Sequence, residues 1–150
     1  MVLEPDDFYS RGAEDFAKNH RLEDRPGVKE SLNSFCERIE GSKVLDVGCG
    51  SVEEPTVFVE RGFDYTGIDI ASGMIEYARE HRKGEFHVMD MKNMDFDDNT
   101  FHGIWCNASI FFVPVEGMTE ALNEFKRVLK NSGVLYVNFK LGEGSFVKEK

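Results

Sequence analysis

Short apolar runs alternate along this chain with stretches in which apolar residues recur three or four positions apart. Over 8–16 and again over 28–39 the recurrence is helical, with Pro26 suited to the opening turn of the second segment. Residues 44–47 form an apolar run ending at Gly48-Cys49-Gly50, and Pro55 then stands where the first turn of a helix tolerates proline. The spacing predicts a strand, a glycine turn and a helix through 56–61 that stops at Gly62. A strand over 65–68, bounded by Asp64 and Asp69, completes a β-α-β unit. Ser72 is suited to cap a helix through Met74, Ile75 and Ala78, and 86–89 reads as a third strand. After an acidic turn at 95–100 come a buried strand over 101–106 and a helix over 118–129, apolar at 118, 121, 122, 125, 128 and 129. Asn131-Ser132-Gly133 is expected to end that helix before a fifth strand over 134–139.

Strands alternating with helices at this spacing predict an α/β fold, because parallel strands need crossovers and these are usually right-handed helices. The expected architecture is a Rossmann-like parallel sheet with helices on both faces. Without repeats or linker-like stretches the chain reads as one domain over 1–141, with N-terminal helices in 8–40 and an α/β core in 43–140. The polar residues 142–150 are expected to be a poorly ordered tail.

Composition narrows the partners. With 150 residues, 41% hydrophobic and 31% charged, the chain can bury a core without disulfides or a structural metal. Its formal charge of -10 repels phosphate backbones, so no nucleic-acid partner is expected. No basic stretch or apolar run points to a membrane. Glu4, Asp6 and Asp7 stand where a signal peptide would be positive, so a cytoplasmic location is expected. Cys36, Cys49 and Cys106 are widely spaced without a C-x-x-C pair, and read as reduced thiols in or near the core. Asp95, Asp97 and Asp98 lack the spacing of a calcium loop, and no metal is assigned.

In an open parallel sheet the ligand sits beyond the carboxyl ends of the strands, at the switch point where Asp46, Gly48 and Gly50 fall. A dinucleotide fingerprint counted from Gly48 would need a small residue where Glu53 stands, which argues against NAD. Glu53 and Glu54 also place negative charge in the turn where a pyrophosphate would sit, and the triphosphate-loop spacing is absent. S-adenosylmethionine carries a sulfonium and an ammonium against one carboxylate, so an acidic rim attracts it. Asp69, at the end of the second strand, is placed to accept from ribose hydroxyls. Each residue also has a bland reading: Asp69 as a helix cap, Asp90 as a surface carboxylate, Met74 and Met91 as core filler.

The strings VLDVGCG at 44–50, YTGIDIASGMIEYARE at 65–80, FHVMDM at 86–91, FHGIWCNASIFFVP at 101–114, EFKRVLKNSG at 124–133 and VLYVNFK at 134–140 resemble class I S-adenosylmethionine-dependent methyltransferases. The resemblance implies a sheet in the order 3-2-1-4-5 and a methyltransferase that turns S-adenosylmethionine into S-adenosylhomocysteine on a small-molecule acceptor. It implies that Asp46, Gly48, Cys49 and Gly50 line the methionine half of the cofactor and that Asp69 takes the ribose hydroxyls. Ile70 and Met74 would pack on the adenosine side, Asp90 would accept from the adenine amino group, and Met91 would offer a backbone N–H to the ring. Asn107, Ala108 and Ser109 would close the site, with the N-terminal helices near Phe8, Tyr9 and Phe16 partly covering it.

Val52 stands in place of the pattern's third glycine, His102 in place of its usual Asp, and Phe112 where many members carry His. The family also continues past the fifth strand into a further helix and a hairpin of strands six and seven, beyond these 150 residues. Two expectations follow: a chain truncated after the fifth strand, or a homodimer that covers that strand's exposed edge. No catalytic base stands out; Tyr9, His20 and His81 are available, but a lone histidine or tyrosine more often packs or faces solvent. The alternative to an enzyme is a module that binds S-adenosylmethionine or S-adenosylhomocysteine without turnover.

Overall fold

A computed structural model describes residues 12–139. The elements in chain order are α1 (Ala13–Asn19), a 3-10 turn (Leu22–Asp24), α2 (Pro26–Arg38), β1 (Lys43–Val47), α3 (Glu54–Glu60), β2 (Asp64–Asp69), α4 (Ser72–His81), β3 (Glu85–Val88), β4 (Phe101–Cys106), a 3-10 turn (Ile110–Phe112), α5 (Val115–Val128) and β5 (Leu129–Val137). The strands form one parallel sheet in the order β3-β2-β1-β4-β5, as expected. Phe8 and Tyr9, and the tail at 142–150, lie outside the described residues.

β1 and β2 are buried over almost their whole length, which is why they read as continuous apolar runs rather than alternating ones. On one face Val44, Tyr65, Phe86 and Trp105 of the strands cluster with Phe35 of α2, Phe58 of α3 and Ile75 of α4. On the other, Leu45, Val47, Ile68 and Ile104 of the strands cluster with Phe125 and Val128 of α5. Fully buried side chains such as Trp105, Phe58 and Phe125 each contribute roughly 1.5–3 kcal/mol by leaving water.

The strict alternation of strand and helix fails once. Between β3 and β4 there is no helix; an irregular connection turns at the Asp90–Asn93 bridge and covers its share of the second face with Met89, Met91, Met94 and Phe96. Four apolar side chains in eight residues do the covering that a helix would otherwise do. A second difference lies at the end of α5, where Asn131-Ser132-Gly133 does not cap the helix. The chain passes from Val128 directly into β5, which pairs at Leu129 with Phe101 and resumes at Val134 with Gly103. The Asn-Ser-Gly triplet sits in the irregularity between those pairs, with Ser132 at φ 68°.

Candidate cofactor site

The carboxyl ends of β1 and β2 meet at the glycine turn. The N–H groups of Gly48 and Cys49 both donate to the carbonyl of Ile68, at 2.8 and 2.9 Å, binding the turn to β2. Gly48 has φ 72°, and a Cβ there would run into the Ser109 side chain, so both backbone conformation and space demand glycine. Gly50 has φ 56°, and a Cβ there would meet nothing nearer than the Phe16 ring at 4.0 Å. A ligand can therefore approach the backbone at Gly50 in a cradle that Phe16 of α1 bounds.

Asp69 organises the turn from the far side. Its Oδ2 accepts the Gly50 N–H and its Oδ1 the Ala71 N–H, both at 2.9 Å. The N–H that Oδ1 accepts belongs to the N-cap residue Ala71 itself, so Asp69 closes a turn ahead of α4 rather than capping it, and α4 has no side-chain cap from Ser72 either. A carboxylate has about four lone-pair positions, and partly exposed Asp69 keeps capacity for hydroxyl donors beyond these two N–H groups. Burial holds its carboxyl above the usual range, opposed by the N–H bonds of Ala71 and Gly50.

Asp46 lies beneath this surface rather than on it. Only 1% exposed, it accepts the Tyr65 hydroxyl at 2.6 Å. Burial pushes its carboxyl well above the ordinary range, opposed by the Tyr65 hydrogen bond and reinforced by Glu54 and Asp69. Cys49 and Met74 are also buried, Met74 packing with Ala13 and Ala71 under α1. Ile70, by contrast, is an exposed apolar side chain beside Asp69. Asp90 stands half-buried past β3, its Oδ1 accepting the Lys92 N–H at 2.9 Å, with Met91 beside it packed on the second core.

Past β4, Ser109 Oγ donates to the Val47 carbonyl at 2.9 Å and lies 3.1 Å from Cys106 Sγ, pinning β4 to β1. Ala108 has φ 55°, and Asn138 links it to Asn107: Asn138 Oδ1 accepts the Ala108 N–H and its amide donates to Asn107 Oδ1 at 2.8 Å. Sequence reasoning missed Asn138. Its one signal was a polar residue at the carboxyl end of an otherwise apolar strand.

It also missed how the N-terminal segment is fastened over the turn. Buried Ser51 donates to the Ala13 carbonyl at 2.6 Å, Glu53 accepts the Leu22 N–H at 2.6 Å, and Arg25 pairs with buried Glu54 at 2.6 Å. Arg82 donates to the carbonyls of Ser51 and Val52. The two glutamates that disfavour a phosphate are thus occupied in docking, and Val52 belongs to a turn held from outside. Of the two histidines available as bases, His20 stacks on Phe16 with Nδ1 2.8 Å from the Phe16 carbonyl, and His81 stacks on Tyr77. His102 lies at the opposite end of the sheet, where Nδ1 accepts the Lys43 N–H.

The residues present fit an adenosyl cofactor: an open glycine cradle, a partly exposed carboxylate beside it, and an exposed apolar neighbour. A family model described as a methyltransferase domain matches residues 45–137. Phosphoethanolamine N-methyltransferase 3 of Arabidopsis thaliana is 31% identical over 121 residues, covering 74% of this chain and 24% of that protein. The structure of the PH0226 protein from Pyrococcus horikoshii OT3 superposes with a TM-score of 0.64 at 30% identity, over 71% of this chain and 51% of the other. That of the [4+2]-cyclase SpnF superposes at 0.58 and 30% identity, over 71% and 42%. The chain spans half or less of the length of the curated relatives it matches. From the sheet order, the glycine turn and the span matched, the chain belongs to the class I S-adenosylmethionine-dependent methyltransferase family.

Proposed function

We propose that this chain binds S-adenosylmethionine across the carboxyl ends of β1, β2 and β3 and transfers its methyl group to a small-molecule acceptor. One observation carries the reading: the Gly50–Asp69 hydrogen bond puts an open glycine cradle and a half-buried carboxylate side by side. The cofactor supplies an electrophilic methyl carbon on a sulfonium. The chain's own residues supply binding and position. Asp69 accepts from the ribose hydroxyls, Ile70 packs on the adenosine, Asp90 accepts from the adenine amino group, and Met91 offers its backbone N–H. Gly48, Cys49 and Gly50 carry the methionine half on backbone, with buried Asp46 bonded to the Tyr65 hydroxyl beneath them. Met74 supports Ala71 from within the core. Asn107, Ala108 and Ser109 form the wall facing the acceptor, held in place by Asn138.

Transfer is an in-line displacement, for which the acceptor atom must be held about 3–3.5 Å from the methyl carbon. A formal charge of -10 favours a neutral or cationic acceptor; the Arabidopsis relative is named for a small amine that also carries a phosphate. The test is S-adenosylhomocysteine release from labelled cofactor with a panel of small amines and hydroxy compounds. Release that depends on the acceptor and is lost in Asp69→Ala supports the reading; release with no acceptor of the panel contradicts it.

A second reading, binding without turnover, is favoured by the histidines: His20 and His81 are both engaged in ring stacking and carbonyl contacts. It predicts tight binding and no product. The outer edge of β5, unpaired among the described residues, supports self-association through that strand; a sedimentation profile showing only monomer would exclude it.

A further inference from the structure

The connection between β3 and β4 carries Asp90 and Met91, yet has no helix to hold it. One pair of side chains on α5 restrains it instead. Arg127 Nη2 donates to the Met94 carbonyl at 2.9 Å, and its Nη1 donates to the Phe96 carbonyl at 2.6 Å and to Asp98 Oδ1 at 3.0 Å. Glu124 Oε2 accepts the Met94 N–H at 2.7 Å. The two side chains lock each other, Nε to Oε1 at 2.8 Å and Nη2 to Oε2 at 3.0 Å. The last carbonyls of the helix add to the grip: Arg127 O accepts the Asn99 N–H and Val128 O the Thr100 N–H. Both polar groups of the Met94 backbone are thereby satisfied by one planar fork and the carboxylate facing it, a geometry a lysine cannot reproduce.

The clamp lies a short step from Asp90. The Lys92 N–H donates to Asp90 Oδ1 at 2.9 Å and the Asn93 N–H to the Asp90 carbonyl at 3.1 Å, and the next residue is the clamped Met94. A shift of Met94 is therefore passed through two hydrogen-bonded residues to the Asp90 carboxylate.

The geometry points to the Glu124–Arg127 pair as a positioning element for adenine recognition, fixing from α5 the backbone on which Asp90 and Met91 stand. Among the described residues both side chains bond only to the connection and to each other, so their part is positional. The inference rests on the adenosyl reading above and adds the origin of its base selectivity. An unclamped loop would still cover the sheet with Met94 and Phe96, since their burial is apolar and non-directional. What it would lose is the register of Asp90 with the adenine edge.

The test compares S-adenosylhomocysteine with S-inosylhomocysteine, in which a carbonyl replaces the adenine amino group, by calorimetric titration of the wild type, Arg127→Lys and Glu124→Gln. The wild type is expected to prefer the adenosyl ligand. Arg127→Lys should weaken adenosyl binding by about tenfold, the scale of one well-aligned hydrogen bond to a charged group, while inosyl binding stays nearly unchanged and the preference collapses. Glu124→Gln should shift the preference the same way by a smaller factor, and it decides the matter if the lysine variant does not fold. Equal weakening of both ligands, or an unchanged preference, overturns the inference by making the pair merely structural. A folded wild type that binds neither ligand overturns the adenosyl reading itself, and one that binds both equally removes Asp90 from base recognition.

Discussion

Two glycines, two aspartates and a tyrosine set the chemistry of the turn, and their roles separate cleanly. Gly48 and Gly50 both occupy left-handed backbone, but only Gly48 is also hemmed in by Ser109. Gly50→Ala should therefore cost about 1–2 kcal/mol, the strain of left-handed backbone for a residue with a Cβ, and Gly48→Ala distinctly more, as urea unfolding would show. Asp46 makes a prediction about pH. Its folded-state carboxyl is raised above 3.8, chiefly by burial, so between its unfolded and folded values the native state holds the extra proton. Stability then falls as pH rises through that window. Asp46→Asn should remove this falling component from a series of unfolding curves. Glu124 works in the opposite sense: its hydrogen bond to Arg127 lowers its carboxyl, so its contribution is present above about 4.5 and lost as pH falls through the folded value. The glycines and Asp69 were legible because a glycine pair closing one apolar strand and a carboxylate closing the next fall together at the switch point of a parallel sheet. The Asp46–Tyr65 bond was not, since nothing in the order of residues says which hydroxyl on β2 faces which carboxyl on β1.

At the scale of elements, the N-terminal segment is docked on α3 by buried charge. Glu54 is 1% exposed and Arg25 is its ionic partner. Removing the arginine alone, as Arg25→Met, would strand a buried carboxylate and should cost about 3–5 kcal/mol, whereas the double change Arg25→Met with Glu54→Leu should recover most of that loss. Equilibrium unfolding of the two variants measures the difference. The junction of α5 with β5 carries a milder strain at Ser132, φ 68°; Ser132→Gly should raise stability by up to about 1 kcal/mol, visible as a higher unfolding midpoint. β1, β2 and β4 could be placed from their apolar runs, because burial on both faces leaves that signature in a parallel sheet, while β3 and the second half of β5, at the more exposed edges, were placed from the turn residues that bound them. Two features could not. The β3–β4 connection is covered by Met89, Met91, Met94 and Phe96 in no regular period, and the Asn-Ser-Gly triplet reads equally as a helix stop or a strand irregularity until its partner strand is known.

For the whole molecule, the sheet brings the carboxyl ends of β1, β2 and β4 to one rim, where Gly50 bonds to Asp69, Ser109 to the Val47 carbonyl, and Ala108 and Asn107 to Asn138, while Asp46 and Met74 lie buried behind it. α1 lies over that rim through Phe16, while His102 stands at the far end of the sheet. The neighbour named as a [4+2]-cyclase shows that this fold is compatible with other chemistry, so cofactor binding is the step on which the rest depends. The most direct test is calorimetric titration of the chain with S-adenosylmethionine, S-adenosylhomocysteine and NAD, repeated on Asp69→Ala. The expected result is saturable binding of both adenosyl ligands, none of NAD, and at least about a tenfold loss in the variant, the equivalent of about 1.4 kcal/mol. A folded wild type that binds neither adenosyl ligand, or an Asp69→Ala variant that binds them as well as the wild type, would contradict the assignment of the site.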